Sequence, residues 1–124
     1  MIQNKDYILQ MIEAAGKALA KIIGFREQEE FHQALEELQL CYAEHFDLIH
    51  IDTENNYFKL DIYGELVKHE ADIKRDLNDN VKAIELYQKA LHSLSKAEIE
   101  SKSFDMKRIG LMSEIQASMS KVQA

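Results

Sequence analysis

Apolar residues recur along the chain at intervals of three and four, the spacing of one face of an α-helix. Four such stretches predict helices over roughly 4–23, 27–45, 54–75 and 80–96. A fifth helix is predicted after the polar stretch 98–103, with an apolar stripe of Met106, Ile109, Met112, Ile115, Met119 and Val122. The segment 46–52 lacks this periodicity and is interpreted as a connector. The pattern therefore predicts an all-α chain.

The expected helix ends follow from residue type. Gly24 should end the first helix, because glycine adopts the left-handed conformation after a helix without steric cost. Asp52, Thr53 and Asn55 offer caps before the third helix, and the run 77–80 supplies turn and cap chemistry before the fourth. The third helix carries an apolar arc wide enough to touch more than one neighbour, and it should be the central helix. No linker or change of composition divides the helices, which predicts a single helical-repeat domain over 1–124.

Composition excludes several classes of protein. The chain has no proline and only four glycines, which disfavours a turn-rich β-fold. Its net charge is −7, with 22 acidic and 15 basic side chains, so no nucleic-acid partner is expected. Glu13, Lys17 and Lys21 interrupt the apolar stretch 8–25, which argues against export and against a membrane partner. A single cysteine, Cys41, suits a reducing compartment and predicts a cytoplasmic protein.

A short pattern with a central glycine occurs three times. The three copies are Ile12-x-x-Ala15-Gly16-x-x-Leu19, Leu60-x-x-Tyr63-Gly64-x-x-Val67 and Met106-x-x-Ile109-Gly110-x-x-Ser113. The intervals between the glycines are 48 and 46 residues, and a fixed spacing of this kind is typical of stacked repeats. Because a glycine within a helix costs about 1 kcal/mol relative to alanine, its recurrence predicts close helix approach at each site.

The companion helices carry a second pattern of small and aromatic residues. Ala83, Tyr87 and Ala90 follow the order Ala-x-x-x-Tyr-x-x-Ala, which a segment containing Ala34 and Cys41 follows loosely. With the glycine pattern, this resembles the tetratricopeptide repeat, whose helix pairs pack through such small residues. The segments 4–13 and 18–22 also resemble the start of a group of uncharacterised bacterial helical proteins, a likeness that implies no activity.

The chain departs from the tetratricopeptide pattern in two ways. The interval from glycine to alanine is longer by about two helical turns, and the proline that usually closes a repeat is missing. The resemblance therefore implies a five-helix α–α hairpin stack, tetratricopeptide-like, with elongated first helices.

The candidate chemistry is sparse. Cys41 and His45 lie four residues apart on a predicted helix, with further possible metal ligands at Asp47, His50 and Asp52. Cys41 also occupies a small core position of the repeat, and that interpretation is preferred. The sequence contains no complete metalloprotease motif, nucleophile elbow or phosphate-binding loop. No enzyme activity, cofactor or metal is therefore predicted.

The predicted function is a protein–protein interaction or scaffolding module that binds a peptide or helix in a helical groove. Outward positions on the first and third helices are the expected contacts: Lys17, Asn56, Tyr57 and Lys59. Two alternatives remain open. One is a structural homo-oligomer, such as a homodimer, with the small-residue line Gly16, Ala20 and Gly24 or the fifth helix as its seam. The other is a metal-binding protein or enzyme.

Overall fold

The computed structural model describes residues 2–123, and the side chains of residues 6–123. This part of the chain contains helices and no strand, so the all-α prediction is confirmed. The α-helices are α1 (Ile2–Glu27), α2 (Phe31–His45), α3 (Tyr57–Asp76), α4 (Asn80–Ser101) and α5 (Met106–Gln123). A sixth, 3-10 helix spans Leu48–Thr53 and so overlaps most of the segment 46–52 that was expected to be a connector. The prediction of five helices is therefore one short.

The end of α1 corrects the role proposed for Gly24. The helix continues through Gly24 to Glu27, and the left-handed residue is Glu29, with φ 61°. The amide of Glu30 donates to the carbonyl of Phe25 (2.7 Å), and the amide of Glu29 donates to that of Arg26 (3.0 Å). These two bonds form a Schellman motif, which satisfies the last carbonyls of the helix. Residues 27–30 thus close α1 instead of starting α2.

The caps of α3 and α4 lie close to their predicted positions. Asn56 caps α3, and its side-chain oxygen accepts from the amides of Phe58 (3.0 Å) and Lys59 (3.3 Å). Asp79 caps α4 by accepting from the amide of Lys82 (3.2 Å). These carboxylate and amide oxygens satisfy donors that the first helical turn leaves unpaired.

The fourth helix is longer than predicted. It runs to Ser101 instead of ending near residue 96, because Ala97 is fully buried and extends the packed stripe by another turn. The chain then turns at Lys102, which takes the left-handed conformation with φ 55°. The polar residues Glu98, Glu100 and Ser101 therefore belong to the last turn of α4 and do not mark the end of the helix.

The chain divides into two compact units, Met1–Glu54 and Asn55–Ala124. The single domain over 1–124 stays a prediction. In the first unit, α1 packs against α2, and a three-residue turn connects the two helices. Its core consists of fully or nearly fully buried side chains: Met11, Ala15, Ala18, Ile22, Ala34, Leu38, Cys41 and Tyr42.

In the second unit, α3, α4 and α5 all pack against one another, and α5 rests mainly on α4, so the expectation that α3 is the central helix is not confirmed. Gly64 lies at the closest approach of α3 and α4: a Cβ at this position would be 2.7 Å from Leu94 Cγ and 3.4 Å from the Ala90 carbonyl oxygen. At Gly16 and Gly110, by contrast, a Cβ would meet no described atom within 4 Å. The predicted close approach is therefore confirmed at one of the three repeat glycines and wrong at the other two.

No helix of the described region combines the length and apolarity that a membrane span requires.

Candidate functional site

The outward face of α2 carries apolar side chains that the core does not use. The residues that line a shallow, open depression of about 510 Å³ are His32, Leu35, Glu36, Gln39 and Leu40. They recur at intervals of three and four and lie opposite the buried stripe that contains Leu38. Leu40 is 56% exposed, whereas Leu38 is fully buried. We refer to these five residues as the outer α2 face.

A second depression, of about 370 Å³, lies between α1 and α2. Its polar lining comes from Lys17 and Lys21 on α1 and from Glu37, Glu44 and His45 on α2. Leu40 borders both depressions. This second depression, which we call the α1–α2 cleft, therefore has a basic wall on α1 and an acidic wall on α2. Leu40 forms an apolar ridge between the cleft and the outer α2 face.

Cys41 lines the floor of this cleft. Burial, together with the smaller effect of the Glu44 and Glu37 charges, raises the pKa of its thiol to about 11. The thiol is therefore protonated at neutral pH. Because the thiolate is the reactive and metal-binding form, these surroundings oppose nucleophilic and ligand roles for Cys41.

The proposed metal ligands are only partly assembled. Cys41 and His45 share the cleft, as their spacing predicts. Asp47 and His50 pair with each other (2.7 Å), and this hydrogen bond holds the pKa of Asp47 below its usual range. Among the described residues, no three His, Cys, Asp or Glu side chains form a group that could hold a metal ion.

The net charge of the chain is concentrated in its first unit. Residues 1–54 hold eleven acidic and four basic side chains, whereas residues 55–124 hold eleven of each. The first unit thus accounts for the whole net charge of −7. Within it, residues 27–54 contain nine acidic side chains and no lysine or arginine. This stretch includes all of α2.

The second unit contains a buried arginine that sequence reasoning missed. Arg108 is 2% exposed and binds Asp61 through two hydrogen bonds: Nε donates to Oδ1 (2.6 Å) and Nη2 donates to Oδ2 (2.8 Å). Nη1 also donates to Ser101 Oγ (3.2 Å) and to the carbonyl of Ser103 (3.4 Å). The pair with Asp61 raises the pKa of Arg108 above its ordinary value. Arg108 therefore ties α5 to α3 and to the end of α4.

A second buried network joins α3, α4 and α5. The Tyr87 hydroxyl donates to Asp72 Oδ1 (2.5 Å), and Lys68 Nζ lies 2.9 Å from Asp72 Oδ2 and 3.5 Å from Glu114 Oε2. Burial, together with the hydrogen bond to Asp72, raises the pKa of Tyr87 well above its ordinary value. The phenol is therefore held as a protonated donor. This arrangement stabilises the packing of the three helices.

The predicted partner-binding residues fall in both units. Lys17 is exposed on α1, with its Nζ 3.7 Å from Glu13 Oε1. The other three lie together at the start of α3, where Asn56 caps the helix and the Tyr57 ring stacks on Phe58 at 4.4 Å. Lys59 is partly buried in the same turn. The structure thus brings Asn56, Tyr57 and Lys59 together and places Lys17 on the first unit.

Two sequence signals could have revealed the outer α2 face. Leu40 is apolar but lies two positions from Leu38, off the packed stripe, which indicates an apolar residue on a second face. The absence of lysine and arginine from residues 27–54 is equally visible. Arg108 gave no such signal, because it occupies an unremarkable position beside the predicted stripe of α5.

Sequence and structure comparisons add no relative from which a function could be transferred. No protein-family model, curated protein or solved structure gives a significant match to this chain.

Proposed function

We propose that this protein is an interaction or scaffolding module that binds a helix or an extended peptide of another protein. The observation that carries the proposal is the distribution of apolar residues in the first unit: both of its α-helices have apolar side chains on a face that the core leaves exposed. Exposed apolar surface bordered by polar side chains is typical of sites that bind other proteins.

The first helix illustrates this second face. Met11 and Ile22 are buried, whereas Leu9 is 56% exposed, Ile12 37% and Ile23 39%. These three exposed residues lie on the same side of α1, with Leu9 and Ile12 adjacent and Ile23 about three turns further along the helix. The outer α2 face adds a second exposed apolar surface in the same unit.

The proposed contacts include Lys17, Asn56, Tyr57 and Lys59. Lys17 supplies an exposed ammonium group, and Tyr57 supplies an aromatic ring of the kind enriched in binding surfaces. Asn56 also has a structural role as the cap of α3, so its replacement by alanine would perturb the helix as well as any contact. A tetratricopeptide-like stacking of the hairpins belongs to the same proposal.

The proposal includes no catalytic step, cofactor or metal. It is supported by the chemical state of the groups that could react: Cys41 is held as a buried thiol, and Tyr87 is committed to Asp72. A free buried thiol is also compatible with the reducing cytoplasm, where we propose that the module acts.

The second candidate function is self-assembly through α1. Leu9, Ile12, Gly16, Leu19 and Ile23 alternate spacings of three and four, which is the seam pattern of a coiled coil. Gly16 lies within this seam and has open space where a Cβ would stand, which favours close approach of another helix. An α1-to-α1 homodimer would elute with twice the monomer mass in light scattering after size exclusion, and Ile12→Glu would convert it to a monomer. A monomeric wild-type protein would eliminate this candidate.

Affinity capture from native lysate tests the interaction function. The wild-type chain serves as bait beside Lys17→Ala, Tyr57→Ala, Lys59→Ala and Asn56→Asp, the last of which keeps a capping oxygen. We expect a protein retained by the wild type to be depleted by one or more of these variants. Equal recovery by every variant would contradict the proposed contacts, and no protein retained above a bait-free control would contradict the interaction function.

A further inference from the structure

We propose that the outer α2 face binds a basic amphipathic helix of another protein, and that Leu40 and Glu36 are its central contacts. This inference rests on the proposed interaction function and deepens it by naming a surface and the chemistry of its partner. It concerns residues different from the contacts proposed on α1 and α3.

The apolar part of the face fits a helix. Its residues span positions 32 to 40, which at ~1.5 Å per residue corresponds to a length of roughly 12 Å. A partner helix of two to three turns covers that length with apolar residues at spacings of three and four. Leu40 lies at the ridge shared with the α1–α2 cleft, so an apolar partner residue would contact it from either depression.

The charge around the face specifies a basic partner. Residues 27–54 hold nine acidic side chains and no lysine or arginine. Glu36 lies within the face with its Oε1 2.7 Å from His32 Nε2, and because its side chain is 64% exposed, a cation of the partner can still reach the carboxylate. Glu37 and Glu44 lie on the adjoining wall of the cleft, and the two nearby lysines, Lys17 and Lys21, stand on the opposite wall. An excess of one charge sign steers partners of the opposite sign to the surface.

The same charges argue against a second copy of this chain. A two-fold contact of this face with itself would set the Glu36 of one copy near that of the other, and like charges across an interface are unfavourable. The anionic surfaces of nucleic acids and lipid headgroups are repelled in the same way. A cationic helix with an apolar stripe complements both the apolar surface of the face and the negative charge around it.

Three fluorescent peptides of about 14 residues, roughly four helical turns, test this inference with the full-length chain. The first has leucines at spacings of three and four and lysines elsewhere. The second keeps the leucines and replaces the lysines by glutamates, and the third keeps the lysines and replaces the leucines by glutamines. In fluorescence anisotropy, we expect the first peptide to bind at least about tenfold more tightly than either of the others, and added salt to weaken it.

Matched variants locate the site. We expect Leu40→Ala to weaken binding of the first peptide by about tenfold, as loss of a central apolar contact does, and Glu36→Gln to weaken it most at low salt. The controls are Val81→Ala, which removes an apolar side chain that is 75% exposed on α4, and Glu85→Gln, whose carboxylate is 62% exposed. Both controls should bind as the wild type does.

Three results would overturn the inference. The first is equal affinity for all three peptides, and the second is unchanged affinity in Leu40→Ala and Glu36→Gln. The third is a wild-type dimer without peptide that Leu40→Glu dissociates, which would assign the face to a second copy. If captured proteins depend on Lys17, Tyr57 or Lys59 while Leu40 variants behave as the wild type, the interaction function stands and this inference alone fails.

Discussion

At the scale of single residues, Gly64 shows how one missing side chain permits helix packing. A Cβ there would lie 2.7 and 2.8 Å from the Leu94 carbons Cγ and Cδ2, closer than real Cβ contacts. Leu94 is fully buried, so it has little space into which to move. The backbones of α3 and α4 can approach this closely because residue 64 has no side chain.

We therefore expect Gly64→Ala to lower the free energy of unfolding by about 1–3 kcal/mol, the usual cost of overpacking a core. Gly16→Ala and Gly110→Ala are the matched controls. In these, the added methyl meets open space, and the better helix propensity of alanine should raise stability by up to about 1 kcal/mol. Urea unfolding followed by circular dichroism measures all three. Stabilisation by Gly64→Ala would contradict the packing described for α3 and α4.

The buried thiol of Cys41 leads to a second residue-scale prediction, about pH. Its pKa is about 11 in the folded chain, compared with 9.0 for an ordinary thiol. Between these values the unfolded chain loses the proton while the folded chain keeps it, so the contribution of the thiol to stability falls as pH rises from about 9 to about 11. Below about pH 9 that contribution is fully present.

The variant Cys41→Ala isolates this effect, because the other ionisable groups are the same in both proteins. We expect the difference in free energy of unfolding between wild type and Cys41→Ala to shift against the wild type as pH is raised above about 9. Urea titrations at several pH values test this. A difference that stays constant over this interval would show that the Cys41 environment does not favour the protonated thiol.

At the scale of elements, the position of α5 depends on polar contacts as well as on apolar burial. Ile115 is its fully buried apolar residue, while Met106 at its start is 76% exposed. Arg108 occupies the buried side of the first turn and binds Asp61 on α3. Lys107 Nζ lies 3.2 Å from Glu65 Oε1 beside this pair. Electrostatic contacts thus orient the beginning of α5.

We expect Asp61→Asn to destabilise the second unit by about 2 kcal/mol, because it leaves the Arg108 charge buried without its counter-ion. The cost should be below that of a fully buried pair, since the Asp61 side chain is 28% exposed and water can partly replace it. Hydrogen exchange should show amide protection lost first in α5. As a control, Glu85→Gln breaks an exposed pair with Lys82 and should cost less than about 0.5 kcal/mol. Equal losses in the two variants would refute the role assigned to Arg108.

At the scale of the whole molecule, the two compact units differ in charge. The first, Met1–Glu54, carries the full net charge, while the second, Asn55–Ala124, is neutral. The second unit also holds both buried polar networks, each of which joins helices within that unit. An acidic unit thus shares a chain with a neutral unit whose helices are joined by internal polar contacts.

We expect the fragment 55–124 to fold without the first unit, because α3, α4 and α5 pack against one another and satisfy the Asp61, Asp72 and Arg108 side chains among themselves. Circular dichroism should show a helical fragment with a sigmoidal urea transition. In the double variant Asp61→Asn and Tyr87→Phe, the midpoint of that transition should move to a lower urea concentration. A wild-type fragment without cooperative unfolding would support the single domain predicted from the sequence.

The sequence by itself determined the all-α class and the approximate course of the five α-helices, because apolar spacing along one chain is sufficient to define a helical face. It also placed the buried positions Ala83, Tyr87 and Ala90 correctly. The end of α1 was mispredicted because the left-handed position there is occupied by Glu29, a residue type that gives no local signal for it.

Only the tertiary structure decided which glycine is close-packed, where Arg108 finds its counter-ion, and which apolar residues of α2 remain exposed. Each depends on atoms far apart in the chain: Gly64 on Leu94, and Arg108 on Asp61. Leu38 and Leu40 are the same residue type two positions apart, yet one is fully buried and the other is more than half exposed. A helix has one side for its neighbour and one for solvent, and the position of that neighbour is a property of the folded chain.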